Sequence, residues 1–174
     1  MVQVSTAAVA ARFAETQVLI VDDNASVRKV VKALLTSMGV GIIWEASDGV
    51  AGLDLVRKSG ADAIIPDWEM PRMEGPDFMR TLRSPDTFPH PAVPVIMVTA
   101  HSEYSKVKEA IAVGVNEFLL KPVSSRALLA RMVSVIFNPR PIVRKRDYYG
   151  PQPRTTSELM KQPDWANPGD LIML

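Results

Sequence analysis

The sequence predicts an α/β domain: a doubly wound, five-stranded parallel sheet alternating with five helices. Three observations carry this. Five short apolar runs recur, at 18–21, 42–44, 63–66, 95–98 and 117–120, each too short for a helix. Between them lie segments whose apolar residues repeat at the helical period. Finally, four of the five runs end in polar groups: Asp22-Asp23, Asp67, Thr99 and Lys121. Strands alternating with helices make right-handed crossovers and a parallel sheet.

Residues 1–16 are alanine-rich, with Val9 and Phe13 four apart, and read as a leader suited to one short helix. After the first strand, Val27, Val30, Val31, Leu34, Leu35 and Met38 mark a helix, with Asn24 or Ser26 to cap its start and Gly39 its end. Ile42–Trp44 is the second strand, stopping before Glu45, and a helix runs from about Val50 to Ser59, ended by Gly60. The third strand, 63–66, delivers Asp67 into a turn closed by Pro71 and Gly75. Pro76 suits the first turn of the next helix. Residues 84–94 form a proline-rich connection that excludes regular helix. Ser102 can cap a helix ending at Gly114, and Leu128, Leu129, Met132, Val133 and Ile136 define a last helix, ended by Pro139.

In such sheets the site lies beyond the carboxyl ends of the strands, at the switch in strand order. Strand two alone ends without an obvious reactive group, so it belongs at an edge, giving the order 2-1-3-4-5. Three converging carboxylates repel, and the usual remedies are a lysine or a hard divalent cation. Mg²⁺ takes oxygen ligands and keeps several waters; Asp23 and Asp67 suit direct coordination and Asp22 a water-mediated contact. Lys121 and Thr99 suit phosphoryl oxygens, so the set reads as phosphoryl-transfer machinery with an aspartate nucleophile. No Gly-rich phosphate loop appears.

The 174 residues carry a formal net charge of +1, which makes no electrostatic case for nucleic acid or an anionic membrane as partner. There is no cysteine, which excludes disulfides and thiolate metal sites. No apolar run approaches the ~20 residues that span a bilayer, and no secretory signal is evident. A cytoplasmic protein is expected.

Asp22-Asp23, then Asp67 followed by Met70-Pro71 and Glu74-Gly75, then Thr99-Ala100 and Lys121-Pro122 together resemble the receiver domain of two-component response regulators, of the chemotaxis, single-domain type. The resemblance covers residues 17–137 and implies a flavodoxin-like fold of the same strand order. It implies that Asp67 is the phosphoacceptor, and that Asp22, Asp23, Asp67 and the Glu69 main-chain carbonyl hold Mg²⁺. Lys121 would contact the phosphoryl group, Thr99 and Phe118 would form the switch pair, and Lys121-Pro122 would be a cis peptide. It further implies a histidine kinase or histidine phosphotransfer protein as donor. An output protein would bind the face made by the helix after strand four, strand five and the last helix. The chemistry it implies is self-phosphorylation and self-dephosphorylation only, without enzymatic turnover of another substrate. A true phosphohydrolase would want an aspartate where Glu69 stands.

Pro66 departs from the family pattern, because proline cannot donate in a ladder. Either the strand diverges there, or the Asp67 carboxylate is shifted and the fold serves as a non-switching docking module. His90 and His101 read as exposed loop histidines, Trp68 as a cover or gate for the acceptor loop, and Met70, Met73 and Met79 as packing. Residues 138–174 form a proline-rich, partly basic tail, expected to lack extended helix or sheet and to be mobile in part. Within it Arg140, Arg144, Lys145 and Arg146 interleave with Ile142, Val143, Tyr148 and Tyr149. That pattern suits either a solvated linker or a segment whose apolar residues anchor on the domain or a partner while its basic residues meet an acidic surface or an anionic ligand.

Overall fold

Four of the helices begin where a short polar side chain satisfies free main-chain N–H groups. In the computed structural model, which describes residues 5–100 and 104–154, Asn24 rather than Ser26 caps the helix after the first strand, accepting from the amides of Ser26 and Val27. Asp48 and Ser124 do the same for two later helices, and Ser5 for the leader. The helices are α1 (Thr6–Glu15), α2 (Ala25–Ser37), α3 (Gly49–Ser59), α4 (Gly75–Leu82), α5 (Tyr104–Ala112) and α6 (Ser125–Phe137). The strands are β1 (Gln17–Val21), β2 (Ile42–Ala46), β3 (Ala63–Pro66), β4 (Ile96–Thr99), β5 (Glu117–Leu120), β6 (Ile142–Lys145) and β7 (Tyr148–Pro151). None of these helices is long and apolar enough to cross a membrane.

β1 pairs in parallel with β2 and β3, and β4 with β5. Two bridges, Ile64↔Val95 and Asp67↔Val98, join the halves, giving the expected order β2-β1-β3-β4-β5. Pro66 explains why that seam is thin. Along β3, Ile64 donates to Pro94 O (2.9 Å) and Trp68 to Val98 O (2.8 Å), both toward β4. Position 66 would donate the intervening bond, and proline has no N–H.

The alternation of side chains builds two cores. Leu19, Val21, Ile64 and Met97 pack with Leu53, Phe78 and Met79 on one face. Val18, Ile20, Ile65, Ile96 and Val98 pack with Val31, Leu35, Leu128 and Met132 on the other. Fully buried Phe13 seats α1 on this second face, its ring centroid 6.3 Å from that of Phe137. Two expectations need correcting. β2 does not stop at Trp44 but runs on to Ala46, because Glu45 and Ala46 still pair with Ile20 and Val21. Val30, expected on the buried face of α2, is 52% exposed.

Over residues 138–154 the tail departs from its reading, because β6 and β7 form an antiparallel hairpin, and the rest of it lies outside the described residues. The hairpin packs on the turn before β5, so closely that a Cβ on Gly150 would lie 3.0 Å from Gly114 Cα. Arginines fasten it to acidic and carbonyl groups, while Val143, Tyr148 and Tyr149 are half-buried. Arg140 donates to Asn116 O (2.6 Å), Arg144 to both carboxylate oxygens of Asp86 (2.9 and 3.1 Å), and Arg154 to Glu117. Ile142 stays 36% exposed. Beneath the hairpin, buried Arg83 donates to the carbonyls of Gly114, Pro91 and Val93 and to Asn116 Oδ1, which fixes the proline-rich connection. Burial pulls its pKa down to about 10, with Tyr148 and Tyr149 opposing.

Candidate functional site

At the opposite end of the sheet the strands release their polar residues together. The Asp67 amide donates to Val21 O (2.8 Å), tying the acceptor loop to β1, while Trp68 ties it to β4. Asp67 is thus anchored on both sides, and the donor lost at Pro66 falls one residue earlier. Carboxylate oxygens of Asp22, Asp23 and Asp67 all lie within 4.8 Å of one another. Asp22 and Asp67 are buried, whereas Asp23 is exposed. The Asn24 amide donates to Asp22 Oδ1 (2.8 Å). Lys121 Nζ reaches Asp22 Oδ2 (3.2 Å) and Asp67 Oδ2 (3.0 Å).

Electrostatics follows from this crowding. Burial raises the Asp67 pKa most; Lys121 opposes it and the Asp22 charge adds to it, leaving the value above the ordinary aspartate range. Burial alone would lower the Lys121 pKa, but hydrogen bonds and charge from Asp67 and Asp22 outweigh it, so the net direction is up. Three ionised carboxylates and one ammonium leave two negative charges uncompensated. That donor set, all oxygen and short by two positive charges, fits a hard divalent cation such as Mg²⁺.

Other predicted residues lie around this cluster. Thr99 is buried at the end of β4, and its carbonyl accepts from the Lys121 amide (2.9 Å). The Lys121–Pro122 peptide is cis, as the resemblance implies. Glu69 is exposed, and Phe118 is half-buried in β5, paired with Met97. Gly75 permits the acceptor loop to close: its amide donates to Trp68 O, and a Cβ there would lie 3.0 Å from the Trp68 main chain. Trp68 is 2% exposed and packs in the core, with Lys106 Nζ 5.5 Å from its ring centroid. It is a packed cover rather than an open gate. Met70 and Met79 are buried and Met73 packs against the same cluster, as read from the sequence. His90 is exposed, and His101 lies outside the described residues.

Two participants escaped the sequence reading. Arg28, five residues after Asp23, donates from Nη1 to the main-chain oxygens of Asp22 (2.7 Å) and Asp23 (3.3 Å). Glu45, at the end of the strand read as carrying no reactive group, faces Arg28 Nε at 3.6 Å. A charged residue at each of those positions was the only available signal.

A family model for the response regulator receiver domain matches residues 18–133. The chain belongs to that family. It is 34% identical over 116 residues to the chemotaxis protein CheY-3 of Vibrio cholerae, covering 67% of this chain and 88% of that one. It is also 34% identical over 119 residues to the chemotaxis protein CheY of Pseudomonas aeruginosa, covering 68% and 94%. Among solved structures it resembles CheY4 of Vibrio cholerae, with a TM-score of 0.62, 32% identity and coverage of 69% and 98%. It also resembles the CheX–CheY–BeF3–Mg complex of Borrelia burgdorferi, with a TM-score of 0.63, 30% identity and coverage of 69% and 88%. Receiver domains are signalling switches of two-component systems rather than classical enzymes, and they generally bind Mg²⁺ through a cluster of aspartates. The matched region stops short of β6 and β7.

Proposed function

We propose that this chain is a phosphorylation-operated switch that accepts a phosphoryl group on Asp67 from a phosphohistidine donor. The observation that carries the reading is the buried Asp67 carboxylate, 3.0 Å from Lys121 and within 4.8 Å of Asp22 and Asp23 at the carboxyl ends of the strands. An Asp67 oxygen forms a bond to phosphorus as the phosphorus–nitrogen bond of the donor imidazole breaks. That nitrogen keeps the electron pair and takes up a proton. Asp22, Asp23, Asp67 and the Glu69 carbonyl would hold Mg²⁺, which would offset charge on the phosphoryl oxygens. Lys121 then turns from pairing two carboxylates to contacting the phosphoryl group.

The new oxygens give Thr99 an acceptor present in one state only, so Thr99 moves toward them and Phe118 turns inward. The surface of α5, β5 and α6 changes with it and engages an output protein. A histidine kinase or phosphotransfer protein meets the apolar groove beside Lys121, lined by Val27, Val30, Val31, Pro122 and Val123. Its docking there places a phosphohistidine at the acids and accounts for the exposure of Val30. These events belong to the cytoplasm. The non-switching alternative rested on Pro66 alone, and Asp67 keeps its main-chain bonds beside that proline. Acetyl phosphate with Mg²⁺ should add one phosphoryl group to the chain, read by mass, and none to Asp67→Asn. Modification of that variant at the wild-type rate would refute the assignment.

A further inference from the structure

Arg28 stands in the first turn of α2 with its side chain only 18% exposed, and it joins three elements at once. Nη1 serves the two main-chain oxygens of Asp22 and Asp23, while Nε faces Glu45 on β2. Glu45 is itself held by Lys32 Nζ at 2.5 Å. That hydrogen bond is the largest cause keeping the Glu45 carboxyl below its ordinary pKa, so it stays ionised for Arg28 near neutral pH. The Asn24 amide orients the Asp22 carboxylate. The Asp23 side chain is exposed, so its direction depends chiefly on how its main chain is held.

We infer that Arg28, oriented by Glu45, is a positioning residue for divalent-metal binding: it pins the Asp22-Asp23 main chain so that both carboxylates face the site. This rests on the Mg²⁺ reading above. A planar guanidinium can meet two carbonyls and one carboxylate together, which the point charge of a lysine cannot. The sign of the effect separates this role from simple electrostatics. A fixed cation beside a cation site weakens metal binding by repulsion, so deleting its charge would by Coulomb's law alone tighten Mg²⁺. Loss of positioning does the opposite, and partners beyond the ligands themselves typically cost 10–100-fold in metal affinity when removed.

Calorimetric titration of the full chain with MgCl₂ tests this, with thermal melting run alongside. Arg28→Gln should raise the Mg²⁺ Kd about tenfold or more, with Arg28→Lys intermediate and Glu45→Gln raised by a smaller factor. A Kd unchanged or lowered in Arg28→Gln overturns the inference, even if the melting temperature falls. Should Arg28→Gln fail to fold, Arg28→Lys and Glu45→Gln carry the same test, and unchanged affinity in both overturns it. If the wild type itself binds no Mg²⁺, the metal reading has failed. If the wild type binds, Asp23→Asn does not and Arg28→Gln matches the wild type, only the role of Arg28 has failed.

Discussion

The two ends of this sheet handle charge in opposite ways. At the carboxyl ends Asp22, Asp23 and Asp67 outnumber their one lysine, and Asp67 is held with its pKa raised. At the amino ends buried Glu117 meets Arg131, Arg154 and Ser134, and buried Arg83 meets three carbonyls and Asn116. Asp22 and Asp67 are as buried as Glu117 and Arg83, and only the pairing differs. A charge buried with its partners becomes structural, because removing either side strands the other. A charge buried among its own kind can be relieved by a metal, a proton or a phosphoryl group, and that leaves the end free to change state.

Substitutions at the two ends should therefore change stability with opposite signs. The largest effect is expected at Arg83→Met, which strands the Gly114, Pro91 and Val93 carbonyls. Urea unfolding should show a loss of about 3–5 kcal/mol, and a loss below about 1 kcal/mol would mean the arginine is not structural. Truncation after Phe137 removes Arg140 and Arg154 while Glu117 keeps Arg131. The fold should survive, less stable by about 2–3 kcal/mol, with Mg²⁺ affinity unchanged. At the other end the sign reverses. Asp67→Asn should raise apo stability by roughly 1 kcal/mol by removing a crowded charge. A loss of that size would show that the Lys121 pair outweighs the repulsion.

The smallest effect is a pH dependence. The folded pKa of Lys121 is raised, so its contribution is complete below the unfolded value of about 10.4 and is lost as pH rises through the folded value. A Lys121→Met variant should lack that alkaline loss. If both proteins lose stability in parallel, the lysine is not its source.

The carboxyl end was legible in the sequence because strand ends put it there: an apolar run predicts a buried strand, and the next polar residue falls where neighbouring strands also stop. Asp22, Asp67, Thr99 and Lys121 needed no contact information beyond that. The amino end had no such grammar. Arg140 meets Asn116 24 residues away, Arg154 meets Glu117 37 away and Arg144 meets Asp86 58 away, separations that no local period records. The hairpin was missed for the same reason, since Pro139, Pro141, Pro151 and Pro153 read as breakers while its anchors lie outside it. Nothing local in the sequence pairs Arg28 with Glu45, which face each other only once β2 lies beside β1.

If one end switches while the other stays fixed, the difference is measurable in a single sample. Amide hydrogen exchange of the full chain, with and without beryllofluoride and Mg²⁺ as a phosphoryl mimic, reads both ends together. Protection should change at Asp22–Asn24, Asp67–Met70 and from Phe118 to Lys121. It should stay the same across Ile142–Lys145 and Tyr148–Pro151. Equal changes in the hairpin, or none around Asp67, would contradict the division of the sheet into a switching end and a structural one.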